Sequence, residues 1–217
     1  MRPISTEGGL VLALDAALSS CSAGVVGPLG VVAERRAMGA RGQVAALPAM
    51  AQAALSEAGI TPAQLAMVAV TIGPGSFTGI RAALSLAHGI ALAAGVPAVG
   101  VTVGEALAAP DCGRRQWVAV DTRRGRVFLE RGGSVATVPL DALPDPSGPV
   151  SLAGDAAIAV ASRLAVRGAA VLLLPARTPT PAGVAAAARR RVSAGPDLRP
   201  VQPLYVDPPE ARPAKRM

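Results

Sequence analysis

The run Gly73-Pro74-Gly75-Ser76-Phe77-Thr78-Gly79-Ile80-Arg81 separates two stretches of different character. Residues 67–72 before it are apolar and rich in β-branched side chains, and residues 82–94 after it are rich in Ala and Leu. That order predicts a strand, a glycine turn and a helix. Gly73 and Gly75 admit backbone angles closed to other residues, and Pro74 stiffens the turn between them. Ser76 or Thr78 can cap the helix, whose free N–H groups and dipole then face the loop. Such a loop either cradles an anion or fixes a tight corner. A P-loop needs a lysine after its glycines, whereas the only lysine is Lys215, and Gly79 comes one position late for a dinucleotide fingerprint. The pattern therefore favours a structural corner built by Gly73, Pro74, Gly75, Ser76, Thr78 and Arg81, with an anion loop as the alternative.

Hydrophobic residues make up 51% of the 217 but aromatic ones only 2%, so the core must come from many small contacts between Ala, Val and Leu. The formal charge of +7 is almost all arginine and is spread along the chain. It suits phosphate contact or an acidic partner. Arg123, Arg124 and Arg126 form one local cluster, read either as a solvated hairpin tip or as a contact for an acidic partner or RNA phosphates. Cys21 and Cys112 form no C-x-x-C pair, and with His88 the only histidine no zinc set can be assembled. One histidine inside a predicted helix also leaves no evident nucleophile–base pair, so no catalytic residue is assigned. Asp15 interrupts the one early apolar run, which argues against a signal peptide, and the apolar helix over residues 80–96 carries Arg81 and His88 and reads as too short for a membrane span. A cytoplasmic location follows by elimination.

The chain divides into a flexible leader (residues 1–9), an N-terminal lobe (10–109), a smaller C-terminal lobe (110–195) and a Pro-rich tail (196–217) expected to pack back on the first lobe through residues 204–206. Strands are expected over 10–15, 23–26, 30–36, 67–72 and 96–101, with helices over 43–59 and 80–96 and a helical turn over 104–109. The second lobe reads as strands over 117–121, 126–131, 134–138, 150–153 and 169–173, with helices over 155–166 and 181–193. In the helix after the glycine run, Gly79, Ala83, Ala87 and Ala91 recur every fourth residue. A stripe of minimal side chains lets another element approach closely, either this lobe's own sheet or a partner's helix.

Three segments carry a resemblance: GPGSFTGIRAALSLAHGIALAAGVPAVGV, LALDAALSSCSAGVV and VDTRRGRVF. With them the chain resembles the TsaB (YeaZ) family over residues 10–206. The resemblance implies an α/β fold of two ribonuclease-H-like lobes of the actin/sugar-kinase type, like that of the catalytic subunit TsaD. It implies a non-catalytic accessory and dimerization subunit. That subunit binds and activates TsaD for threonylcarbamoyl transfer to the anticodon-adjacent adenosine of tRNAs reading codons that start with A. TsaD is the expected heterodimer partner and TsaE joins a ternary complex. ATP and metal are expected on TsaD and TsaE, tRNA contact is indirect or weak, and the chain self-associates through the TsaD-binding face. On this reading Gly79, Ala83, Ala87, Ala91 and His88 belong to the partner face. Asp15 stands where actin-like proteins place a carboxylate holding magnesium-bound water, but Ala16 follows it where the family has Thr. Gln43 stands where the family often has His. These departures make Asp15 a vestigial nucleotide site. A free-standing ATP-dependent transferase or kinase of the same fold, and a tRNA-binding module, are the alternatives.

Overall fold

The structure is a computed structural model that describes residues 8–39, 43–108, 115–195 and 199–207. The leader up to residue 7, Cys112, the expected lobe boundary at 110–113 and the tail from residue 208 lie outside the described residues.

Three strands, β1 (Leu10–Asp15), β2 (Ser20–Gly27) and β3 (Gly30–Met38), form an antiparallel meander. Helix α1 (Gln43–Glu57) leads to β4 (Leu65–Gly73), and α2 (Phe77–Ala94) to β5 (Ala98–Thr102). Both β4 and β5 run parallel in the order β3-β2-β1-β4-β5. After the short α3 (Val103–Ala106), the second sheet repeats the scheme. Strands β6 (Arg115–Asp121), β7 (Arg126–Arg131) and β8 (Ser134–Pro139) form its meander, and β9 (Val150–Ala153), α4 (Ala157–Val166) and β10 (Val171–Leu173) its parallel half. Its order, β10-β9-β6-β7-β8, is that of the first sheet. Two such sheets make the pair of ribonuclease-H-like lobes of the actin/sugar-kinase type. Helix α5 (Pro181–Ser193) follows.

The four-residue stripe on α2 faces inward. Ala83 and Ala87 are fully buried and Ala91 is 5% exposed, packed in one cluster with Leu14, Val68 and Val70 of the sheet. Assigning Gly79, Ala83, Ala87 and Ala91 to a partner face is therefore corrected: their small size brings α2 close to its own sheet. His88, from the same assignment, is exposed, and its Nε2–H donates to the Val201 carbonyl at 2.8 Å. By length and composition α2, with 18 residues and a mean hydropathy of 1.3, could cross a bilayer, contrary to the expectation from sequence. Its inward residues instead contact β4 in the first lobe's core.

A second correction concerns α5, which the sequence assigned to the C-terminal lobe. Its Val184, Ala185, Ala187 and Ala188 are buried against Val11, Ala13, Met67, Ala69, Val99 and Val101 on the first sheet. Arg189 fixes it there by donating to the carbonyls of Gly9, Val26 and Gly27 at 2.9–3.2 Å. Residues 199–207 then run along α2. The Leu204 amide donates to the Ile72 carbonyl (2.9 Å), and Arg81, stacked 3.9 Å over Phe77, donates to the Tyr205 hydroxyl (2.9 Å).

The lobes share one core. Val118 and Val120 of β6 and Ala153 of β9 belong to the same buried cluster as Leu14, Val103 and Leu107. Beside it, the buried Glu130 of β7 accepts from the Thr102 hydroxyl (2.5 Å) and the Gly104 amide (2.9 Å) at the start of α3. A Cβ on Gly104 would lie 2.2–2.6 Å from that carboxylate, so the contact requires glycine there. Desolvation raises the pKa of Glu130, with Glu105 adding to the rise.

Candidate functional site

Between the lobes lies a cleft of about 740 Å³, walled by the β1–β2 turn (16–20), Gly75 and Ser76 on one side and the β6–β7 turn on the other. Asp155 and Asp207 complete its rim.

The glycine run forms the first wall, and its geometry explains the spacing of its glycines. A Cβ on Gly75 would sit 2.0 Å from the Ala17 carbonyl oxygen, and one on Gly79 2.0 Å from that of Ala16. The helix start is pressed onto the β1–β2 turn so closely that no side chain fits at either point. The Ser76 amide donates to the Ala17 carbonyl (2.7 Å) and the Gly79 amide to the Ser76 hydroxyl (3.2 Å). Two donors that an anion loop would offer thus serve the corner itself. Thr78 is exposed at this helix start, Ser76 is the cap, and Pro74 is buried behind them.

Asp15 lies beneath this wall at 0% exposure and does not line the cleft. Its Oδ1 accepts from the Thr71 hydroxyl (2.6 Å) and the Ala17 amide (3.1 Å), while Oδ2 has no partner among the described residues. Burial raises its pKa to about 6 against the pull of these two donors and of Arg36. The carboxylate thus lies under its own turn rather than in the cleft wall. Cys21, also in the cleft wall, is buried with its Sγ 3.6 Å from the Met50 sulfur, and desolvation raises its thiol pKa.

The second wall carries the arginines. Arg123 holds a left-handed backbone (φ 59°) at the turn, with its amide donating to Asp121 Oδ1 at 2.7 Å. The Asp121 amide in turn donates to Asp155 Oδ1 at 2.9 Å. Desolvation, with the nearby Asp121, raises the Asp155 pKa. Arg126 lies 3.6 Å from Asp207, so that ion pair ties the end of the described tail to the second lobe. Arg123, Arg124 and Arg126 all line the cleft and face the first lobe across it. Ser20 and Thr137 also line it, though their hydroxyl oxygens are turned into the protein and have no partner among the described residues. The combination suits a polar or anionic group. Among the described residues no three His, Cys, Asp or Glu side chains gather to hold a metal.

The structure thus brings Arg123, Arg124 and Arg126 to one cleft with the Gly75–Ser76 corner, and leaves Asp15 behind it and the α2 stripe within the first lobe. Sequence reading missed Ser20, Thr137, Asp155 and Asp207 at the cleft, since each comes from a separate element with no local motif.

A family model described as TsaD, tRNA N6-adenosine threonylcarbamoyltransferase, matches residues 30–165. An uncharacterized protein of Mycobacterium tuberculosis is 34% identical over 215 residues, covering 94% of this chain and 94% of that protein. The tRNA threonylcarbamoyladenosine biosynthesis protein TsaB of Escherichia coli is 30% identical over 122 residues, covering 54% of this chain and 52% of that protein. YeaZ from Pseudomonas aeruginosa has the same fold, with a TM-score of 0.75 at 24% identity over 91% of this chain and 99% of that structure. The chain therefore belongs to the family that this TsaD model describes, as a TsaB/YeaZ-like member.

Proposed function

We propose that this chain is a non-catalytic accessory subunit in tRNA threonylcarbamoyladenosine biosynthesis. It binds a TsaD-type transferase in the cytoplasm and supports threonylcarbamoyl transfer to tRNA, with a TsaE-type ATPase as third member. Family membership supports the pathway. The observation that carries the accessory role is the sealed β1–β2 turn: Asp15 is buried, and the amides of Ser76 and Gly79 are engaged within the corner. Nucleotide chemistry on this lobe would need that carboxylate and those donors in the cleft. Co-expression with the same organism's TsaD, followed by light scattering on the purified sample, tests the reading. A stable one-to-one complex is expected. A folded TsaD that never co-purifies would refute it. Calorimetric titration with Mg-ATP separates the kinase alternative, which requires saturable binding to the isolated chain.

A further inference from the structure

A second cavity, of about 620 Å³, opens at the end of the second sheet away from the interlobe cleft, lined among others by Arg115, Trp117, Arg131, Asp145 and Ser147. Trp117 and Arg131 are directly opposed across β6 and β7, and Arg115 lies two residues before Trp117, so the pleat sets all three on one face. Trp117 is 5% exposed and too covered to stack on a base, but it seats its neighbour: the Arg131 guanidinium lies 5.5 Å from the ring centroid. The Arg131 backbone belongs to the strand ladder, whereas its side chain makes no hydrogen bond to the described residues. Its planar fork is thus oriented by the ring while its N–H donors remain available. Arg115 uses one N–H on the Ser147 hydroxyl at 3.2 Å.

Asp145, the one acidic side chain among the described residues that line this groove, is already paired. Arg167, just past the end of α4, forms an ion pair with Asp145 and donates to the Leu143 carbonyl at 2.7 Å. That contact holds the rim, and Pro144, Pro146 and Pro149 stiffen it. The groove therefore presents two positive charges on a rigid frame, with its aromatic floor roofed by Arg131. It is open and several times the size of one phosphate, which suits an extended polyanion rather than a small one.

We infer that this groove contacts the phosphodiester backbone of RNA. The choice of RNA as the polyanion rests on the tRNA-modification reading above. Phosphate contacts carry no sequence information and are recognised by their salt dependence.

The test measures binding of a labelled tRNA transcript to the full chain by fluorescence anisotropy from 50 to 300 mM salt. It compares wild type, Arg115→Gln and the Arg115→Gln/Arg131→Gln pair. The slope of log Kd against log salt is expected to fall by about 0.7–0.9 for each phosphate contact removed. The double variant should thus lose about 1.5 in slope and the single variant about half of that. A urea unfolding midpoint by circular dichroism equal to that of wild type establishes that the fold is intact, and the single variant serves if the double one shifts that midpoint. Wild-type binding without salt dependence, or variants with the wild-type slope, would overturn the inference. So would a polyglutamate competitor whose binding is lost in the double variant while that of tRNA is retained, since the occupant would then be an acidic protein. Co-purification of the double variant with TsaD is read separately: absence of a complex even with wild type defeats the accessory reading and leaves the salt-slope result standing.

Discussion

Replacing Asp15 by Asn should flatten the dependence of stability on pH. Asp15 is fully buried, with a pKa near 6 against an ordinary 3.8. The folded state therefore holds its proton more tightly than the unfolded chain does. The stability of the neutral form is present below pH 4 and is lost as pH rises through 6. A shift of about 2 units at 1.36 kcal/mol each is worth about 3 kcal/mol in all. About 1 kcal/mol of that is gone by pH 4.5, leaving about 2 kcal/mol to disappear between pH 4.5 and 8. The Asn amide keeps an acceptor for Thr71 and Ala17 and carries no charge. It also places an N–H₂ where Oδ2 has no partner among the described residues. That orphan donor costs about 1–3 kcal/mol at every pH and cancels when one variant is followed across pH. Urea unfolding of both proteins at pH 4.5, 6, 7 and 8, followed by circular dichroism and Trp117 emission, should show the variant gaining about 2 kcal/mol on wild type over this range. Arg36 and Cys21 are the ionisable neighbours coupled to this carboxyl. Desolvation and the Asp15 charge raise the Cys21 thiol pKa, away from this window. Parallel profiles would refute the argument, because the carboxylate would then be solvated and facing the cleft.

Two pairs of substitutions address packing. Ala83→Leu forces a larger side chain into a fully buried contact with the sheet and should destabilise the chain by about 1–3 kcal/mol, whereas Leu92→Ala, on the exposed face of the same helix, should change the urea midpoint little; equal effects would place the stripe outside the core. Glu130→Ala leaves the Thr102 hydroxyl and Gly104 amide unpaired between the lobes, and should cost about 2–4 kcal/mol in urea unfolding, with Gly104→Ala similar in direction because its Cβ would enter the carboxylate's place.

Local elements were legible where the chain carries its own punctuation. Strands β1, β7 and β9 and helix α5 begin and end at the residues expected from sequence, because turns, capping residues and prolines mark them. Which surface an element packs against was less legible. The every-fourth-residue stripe of α2 suits its own sheet and a foreign helix equally, and only the position of β4 decides between them. Helix α5 follows the second lobe in sequence but returns to the first, through a partnership between its alanines and the β1–β4 face that no local pattern encodes. Gly75 and Gly79 were readable as special positions, but their reason, the approach of the Ala16 and Ala17 carbonyls, depends on a turn some sixty residues earlier. Glu130 left a faint trace, as a carboxylate near the end of a strand apolar on both faces, whose second face turns out to meet the first lobe.

That second face also bears on how the cleft can behave. A hinge between lobes needs a region where few contacts cross, so that rotation costs little. Here the crossing region is a continuous apolar core joining Leu14, Val103 and Leu107 to Val118, Val120 and Ala153. It is flanked by the Glu130 contact with α3 and by the Gln116 amide donating to the Leu107 carbonyl at 2.9 Å. At the other side of the cleft, the tail is fixed to β4 through Leu204 and paired with Arg126 through Asp207. Opening the lobes would expose buried alanine and valine and orphan two donors around Glu130 at once. The physical consequence is a cleft of nearly fixed width, with Arg123 and Arg124 held at a set position relative to the Gly75–Ser76 corner. A body of fixed geometry is suited to holding a partner in place, since little conformational freedom remains to be lost on association.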